Sequence, residues 1–153
     1  MTKANVIGLR YCNIYGPGEG HKGHRASMVY QLLKQMTNGK RPKLYKHGEQ
    51  KRDWIYVEDV VDANILASHA KCSGIFNCGS GNDYSFNDMV KIINQFLSTN
   101  YEPEYIENPY IKQYQSHTCC DMSKAKKILK FVPKRQLREG IEDFIPREFK
   151  KNP

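Results

Sequence analysis

A β-rich apolar run over residues 6–15 ends in Gly16-Pro17-Gly18-Glu19-Gly20. It gives way to a stretch in which Met28, Val29, Leu32, Leu33 and Met36 recur at helical spacing. A strand feeding an amphipathic helix through a glycine break is the repeating unit of α/β proteins. The rest of the chain repeats that alternation. Short strands are expected at 43–45, 54–57, 75–78 and 104–106, and helices at 26–37, 60–70, 122–129 and 137–145. Ser85 opens a further helix as N-cap, with Asp88 in the capping-box position and Met89, Val90, Ile92, Ile93, Phe96 and Leu97 on its apolar face. Asn38-Gly39 closes the first helix, and Pro146 is expected to stop the last. The pattern predicts an α/β fold with a mainly parallel sheet.

At 153 residues the chain suits one domain, and with 39% hydrophobic residues it can bury a core. Its formal charge of +8 favours an anionic partner: nucleic acid, a phosphorylated small molecule or an acidic surface. No apolar run approaches the ~20 residues of a membrane span, and the apolar stretch near the N-terminus is too short for a secretory signal. Cys12, Cys72, Cys78, Cys119 and Cys120 are odd in number and irregular in spacing, so reduced thiols in a cytoplasmic protein are expected. Cys72-x5-Cys78 and His21-x2-His24 each lack a second half, so no metal is expected.

Gly18-x-Gly20-x-x-Gly23 has the spacing of a dinucleotide fingerprint. Three features argue against that reading. Bulky Pro17, His21 and Lys22 fill its close-approach positions, no acid ends the next strand, and the loop is long. Tyr30-x3-Lys34 has a catalytic spacing, but two residues four apart on a helix more simply share a face. Between Gly20 and Gly48 stand Lys22, Arg25, Lys34, Lys40, Arg41, Lys43 and Lys46 with no acid, and Arg52 follows. That run reads either as a solvated face or as a phosphate-binding rim. Nucleic-acid binding is less favoured, since no such module is visible. The C-terminal cations from Lys124 to Arg138 read as solvated helix surface. Asp59 is expected to cap the 60–70 helix, Asp53 to tie its loop to backbone amides, and Trp54 to pack in the core or at a hinge.

Three phrases go beyond a generic α/β protein: Leu9-Arg10-Tyr11-Cys12-Asn13-Ile14-Tyr15-Gly16-Pro17-Gly18-Glu19, Arg52-Asp53-Trp54-Ile55-Tyr56-Val57-Glu58-Asp59-Val60-Val61, and Gly74-Ile75-Phe76-Asn77-Cys78-Gly79-Ser80-Gly81 followed by Ser85-Phe86. In this order they resemble the C-terminal half of extended short-chain dehydrogenases acting on nucleotide sugars. Gly20-His21-Lys22-Gly23, Ala26-Ser27 and Tyr114-Gln115-x-x-Thr118 narrow the resemblance to that family's nucleotide-heptose 6-epimerases.

The resemblance implies the last strands of a Rossmann sheet plus the small substrate-binding α/β domain. Residues 1–153 would form a single fragment whose N-terminal Rossmann half is absent. It implies NADP-dependent epimerisation at C6 of an ADP-bound heptose for lipopolysaccharide core synthesis, in a homo-oligomer when complete. The isolated chain is expected to be inactive. By the same resemblance Asn13 contacts the sugar and Ile14 lies against the NADP nicotinamide. Lys22 is the second proton-transfer residue and touches cofactor. His24 and Gln31 contact substrate. Tyr45, Lys46, His47, Gly48 and Arg52 cradle the nucleoside diphosphate, and Tyr114 closes over it. Another nucleotide-sugar epimerase or dehydratase, or a non-catalytic nucleotide-sugar binding module, are the alternatives.

Overall fold

A computed structural model describes residues 4–109 and 114–149. The strands are β1 (Ile7–Tyr11), β2 (Asn13–Tyr15), β3 (Lys43–Tyr45), β4 (Lys51–Tyr56), β5 (Gly74–Cys78), β6 (Asp83–Ser85) and β7 (Glu104–Ile106). The helices are α1 (Met28–Thr37), α2 (Val57–Ser68), α3 (Phe86–Leu97) and α4 (Leu137–Glu148). A 3-10 segment, Gly20–Arg25, and a π-helical turn, Ala125–Leu129, complete the order.

The single strand expected over 6–15 is two strands that part at Cys12. β1 pairs in parallel with β5, whereas β2 pairs in parallel with β4. β4 also takes β6 antiparallel, and β3 pairs in parallel with β7. Side chains on β4 alternate between two cores, as the pleat requires. Trp54 and Tyr56 join α1, α3 and α4 on one face, while Ile55 joins Val60, Ala63, Phe76 and Phe131 on the other. Trp54 meets the Phe86 ring edge-on at 5.7 Å, in the core as expected.

Four local expectations give way to tertiary structure. β4 begins at Lys51, earlier than the apolar run, because its first residues pair with β6. α2 begins at Val57, so Asp59 lies inside it; its carboxylate instead accepts from the amides of Lys134 (3.0 Å) and Arg135 (3.1 Å). The 122–129 helix closes as a π-helical turn ending at Lys130 in the left-handed region. Pro146 sits within α4, which continues to Glu148 because Phe149 N–H still reaches the Ile145 carbonyl at 2.9 Å. The Ser85–Asp88 capping box forms as expected.

α4 packs closely enough that one position tolerates no side chain. A Cβ on Gly140 would lie 2.8 Å from Tyr15 Cζ and 3.1 Å from the Tyr56 ring. Both tyrosines are fully buried, so neither can move aside. Gly140→Ala is expected to lower stability by about 1–3 kcal/mol, because overpacking outweighs the gain of up to ~1 kcal/mol in helix propensity. Thermal melting of the variant checks the sign.

Candidate functional site

Of the predicted site residues, Ile14 and Lys22 line one cleft, Lys46, His47 and Tyr114 line a second and Tyr45 a hollow beside it, whereas Asn13, His24, Gln31, Gly48 and Arg52 line none of these. The first cleft, of ≈ 140 Å³, opens where β2 ends, and Ile14, Gly16, Pro17, His21 and Lys22 are among its lining residues. Glu19 holds this glycine loop. Its carboxylate is 4% exposed and accepts from Gly16 N (3.3 Å), Ser27 N (2.6 Å) and Ser27 Oγ (2.7 Å), drawing the two loop ends together. Its carbonyl accepts from Lys22 N at 2.9 Å. Ser27 passes the order on as the N-cap of α1. Gln31 Nε2 donates to the carbonyls of His24 (3.0 Å) and Ala26 (2.8 Å), bracing the far end of the loop. Tyr30 is buried against Phe144 and Phe149, so it serves as a core residue.

The second cleft, of ≈ 300 Å³, is lined by Lys46, His47, Glu49, Gln50, Tyr114 and Ser116. A smaller hollow beside it adds Tyr45. Lys46 adopts the left-handed region at φ 55°, which turns the chain after β3. Gly48 (φ +69°) completes the turn, and a Cβ there would lie 2.8 Å from Asn87 Cγ and Leu44 Cδ1. Asn87, from the first turn of α3, donates to His47 O at 2.8 Å and so buttresses the turn. Tyr114 packs edge-on against Tyr45 at 6.0 Å, and the Arg52 guanidinium lies over the Tyr114 ring at 5.2 Å. Arg52 also donates to the carbonyls of Lys51 and Gln115. Gln50 bridges Tyr45 O (3.3 Å) and Tyr114 OH (3.4 Å).

Residues 114–120 form a strap over β4. Lys51 N donates to Ser116 O (3.0 Å), and Thr118 N donates to Lys51 O (3.1 Å). His117 Nε2 pairs with Asp83 at 2.5 Å, which holds the Asp83 carboxyl below its ordinary value of 3.8, aided by Lys51. A depressed carboxyl stabilises the fold above its ordinary value and loses that contribution as pH falls through the depressed one. Asp83→Asn is therefore expected to flatten the stability–pH curve below pH 3.8, as acid titration by circular dichroism would register.

Beneath the strap lies Asp53, fully buried. Its Oδ1 accepts from Ser80 N (2.7 Å) and Ser80 Oγ (2.8 Å), and its Oδ2 from Gly81 N (3.0 Å) and Cys120 N (3.1 Å). The expectation that Asp53 ties amides together holds, and the amides belong to loops distant in sequence. Asn13 Nδ2 donates to Asp53 O at 2.9 Å, which orients the asparagine beside β4. The expectation of five reduced thiols is corrected, because Cys12 and Cys120 are joined by a disulfide across 108 residues. Cys72, Cys78 and Cys119 are free.

Sequence reasoning missed Glu19, Gln50 and Asn87. Glu19 stood within a quoted phrase, but nothing in its spacing announces a buried carboxylate. Among the described residues the one group of three close metal-type donors is Cys12, Asp53 and Cys120. It shares no residue with either half-site considered from the sequence.

The framework, parallel pairs with helices on both faces and a glycine loop at a strand's carboxyl end, is that of the extended short-chain dehydrogenases. The chain belongs to the NAD dependent epimerase/dehydratase family, which matches it over residues 1–79. Among solved structures it is similar to the ADP-L-glycero-D-manno-heptose-6-epimerase of Helicobacter pylori, with 38% identity and a TM-score of 0.84 over 93% of this chain and 43% of that one. It is also similar to the UDP-glucose 4-epimerase of Thermotoga maritima, solved with UDP-glucose, with 32% identity and a TM-score of 0.85 over 92% and 45%. A UDP-N-acetylglucosamine 4-epimerase from Methanobrevibacter ruminantium matches with 30% identity and a TM-score of 0.80 over 92% and 46%. The chain thus spans less than half the length of these structures. Among the described residues no helix is long and apolar enough to cross a membrane.

Proposed function

We propose that this chain is the substrate-binding portion of a nucleotide-sugar epimerase, one that inverts C6 of ADP-D-glycero-D-manno-heptose for lipopolysaccharide core synthesis in the cytoplasm. The observation that carries the reading is the cleft of Lys46, His47 and Tyr114, with the Arg52 guanidinium over the Tyr114 ring and Asn13 two residues along β4 from it through the β2–β4 pairing. The second cleft includes Gln50, just before β4, and the first includes Val57, just after it, so the clefts flank opposite ends of that strand, roughly 20 Å apart along it. The ligand would set its diphosphate at Arg52 and its sugar near Asn13, whose partner Trp54 lies two residues along β4 from Arg52.

Inverting an unactivated carbinol carbon requires transient oxidation, because its C–H is not acidic. NADP, when bound, supplies that hydride chemistry. The Ile14–Lys22 cleft is comparable to the ~150 Å³ that accepts one benzene ring, so it suits a nicotinamide edge and not a whole dinucleotide. The remainder of the cofactor site, and a first proton-transfer residue, would come from a dinucleotide-binding half outside these 153 residues. Lys22, framed by Gly20 and Gly23, would move the hydroxyl proton on the second face of the sugar, helped by the cofactor's positive ring. The exposed apolar side chains of Val6, Val61, Ile65 and Ile75 supply a face for that half, and the chain alone is inactive. The complete enzyme would be a homo-oligomer, and neither nucleic acid nor membrane is a partner.

Thermal shift against ADP-heptose, UDP-glucose and a GDP-sugar tests the assignment, since a ligand stabilises the fold by mass action. ADP-heptose is expected to give the largest shift. Tyr114→Ala is expected to weaken binding about tenfold, from a lost stacking and closing contact. A larger shift with UDP-glucose would move the assignment to the UDP-sugar epimerases, which match this chain at similar identity.

A further inference from the structure

We propose that Cys12 and Cys120 form a redox-modified site, exchanging with dithiols, that sets how firmly the 114–120 strap is held over the ligand cleft. The mechanical part stands on the disulfide and strap geometry. The consequence for ligand rests on the function proposed above.

Cys12 sits in the break between β1 and β2, and its amide is fixed on Cys78 O at 2.9 Å. Cys120 ends the strap, with its amide on the buried Asp53 carboxylate. The space between them is kept clear by Gly79, where a Cβ would fall 2.8 Å from Cys12 Sγ and 2.9 Å from Cys120 Cβ. Half-buried Tyr114 and Thr118 also hold the strap, through Tyr45, Gln50, Arg52 and the Lys51 carbonyl, and the residues between them are exposed. Gln115, Ser116 and His117 are all solvent-facing, and their partners are the edge of β4 and the surface carboxylate of Asp83. The disulfide is thus the one covalent tie from this strap to the sheet among the described residues, and it lies six residues beyond Tyr114.

Both bridged cysteines are half-buried, so a small reductant can reach them. Two of the free thiols, Cys78 and Cys119, compete poorly. Burial pushes the Cys78 thiol up to about 12. Partial desolvation, then the Asp53 and Asp83 charges, raises the Cys119 thiol above its usual range. In the exchange, a thiolate of an external dithiol attacks one sulfur, and the S–S bond breaks to give a mixed disulfide and one cysteine thiolate. The second thiol of the reductant then displaces the other cysteine. Two electrons and two protons pass to the pair, and the dithiol leaves as a disulfide. Reoxidation by a low-molecular-weight disulfide runs the same steps in reverse. A cation on Cys12, Asp53 and Cys120 is not the better reading, because the four donors already on the Asp53 oxygens occupy that carboxylate.

The test uses the 153-residue chain itself, equilibrated with glutathione disulfide or with dithiothreitol. Alkylation in denaturant should modify three thiols after oxidation (Cys72, Cys78 and Cys119) and all five after reduction. Amide hydrogen exchange should accelerate on reduction within 114–120 and not in α3. The affinity for ADP should fall about tenfold, the expected cost of ordering a released strap. Cys120→Ser should behave like the reduced chain under both conditions, and Cys72→Ser should respond like the parent. Five alkylated thiols under oxidation would overturn the proposal, as would an unchanged strap exchange rate. Accelerated exchange with no ADP binding in either state would support the redox hold and overturn the reading of the cleft.

Discussion

Asp53→Ala is expected to destabilise the chain by at least about 4 kcal/mol, a large share of the stability of a domain of this size. The carboxylate is fully buried and accepts four hydrogen bonds, from Ser80 N, Ser80 Oγ, Gly81 N and Cys120 N. Each buried donor left without a partner costs about 1–3 kcal/mol, against a typical total stability of about 5–15 kcal/mol. Alanine offers none of these donors an acceptor and leaves a void as well. Asn is the sharper probe. It keeps the volume but turns an NH₂ toward two donors, so Asp53→Asn should still lose about 2 kcal/mol or more. A urea melt within 1 kcal/mol of the parent for either variant would remove Asp53 from its place as the tie between β4, the 79–81 loop and the strap.

The second large effect concerns chemistry. In the complete enzyme, formed by adding a dinucleotide-binding half, Lys22→Met is expected to lower kcat by about 10²- to 10⁴-fold, the usual contribution of a positioned acid or base. KM should move by less than about threefold, because the ammonium's part is played in the transition state. If Lys22 only grips phosphate, the pattern reverses, and KM rises while kcat stays near the parent value. Glu19 sharpens the distinction. It closes the Lys22 loop through Gly16 and Ser27, so Glu19→Ala should lower kcat by a comparable factor without removing any charge from the sugar itself.

Much of this framework was legible where a local rule and the tertiary structure agree. The Ser85–Asp88 capping box, the apolar stripe of α1 and the glycine break after Tyr15 depend on neighbours within a few residues, and spacing reports those neighbours directly. Partners far along the chain were not legible. Nothing in a β-rich run marks Cys12 as the point where one stretch leaves β5 for β4, because both pairings accept the same side chains. Asp59 looked like a helix cap, yet its acceptors serve Lys134 and Arg135, some 75 residues on. Cys12 and Cys120 carry no spacing signal for the same reason. For the candidate site, the two groups of residues were named from phrases. Their division between two clefts follows from strand pairing, which the phrases do not encode.

The most direct test is a titration of the ¹⁵N-labelled chain with ADP-D-glycero-D-manno-heptose, followed by amide chemical shifts. The account predicts saturable shifts at Lys46, His47, Gly48, Arg52 and Tyr114, continuing through Asn13 and Ile14 to Lys22. Shifts confined to the apolar cavity of Met36, Leu97, Tyr101 and Phe149, or no shifts at millimolar ligand, would contradict it.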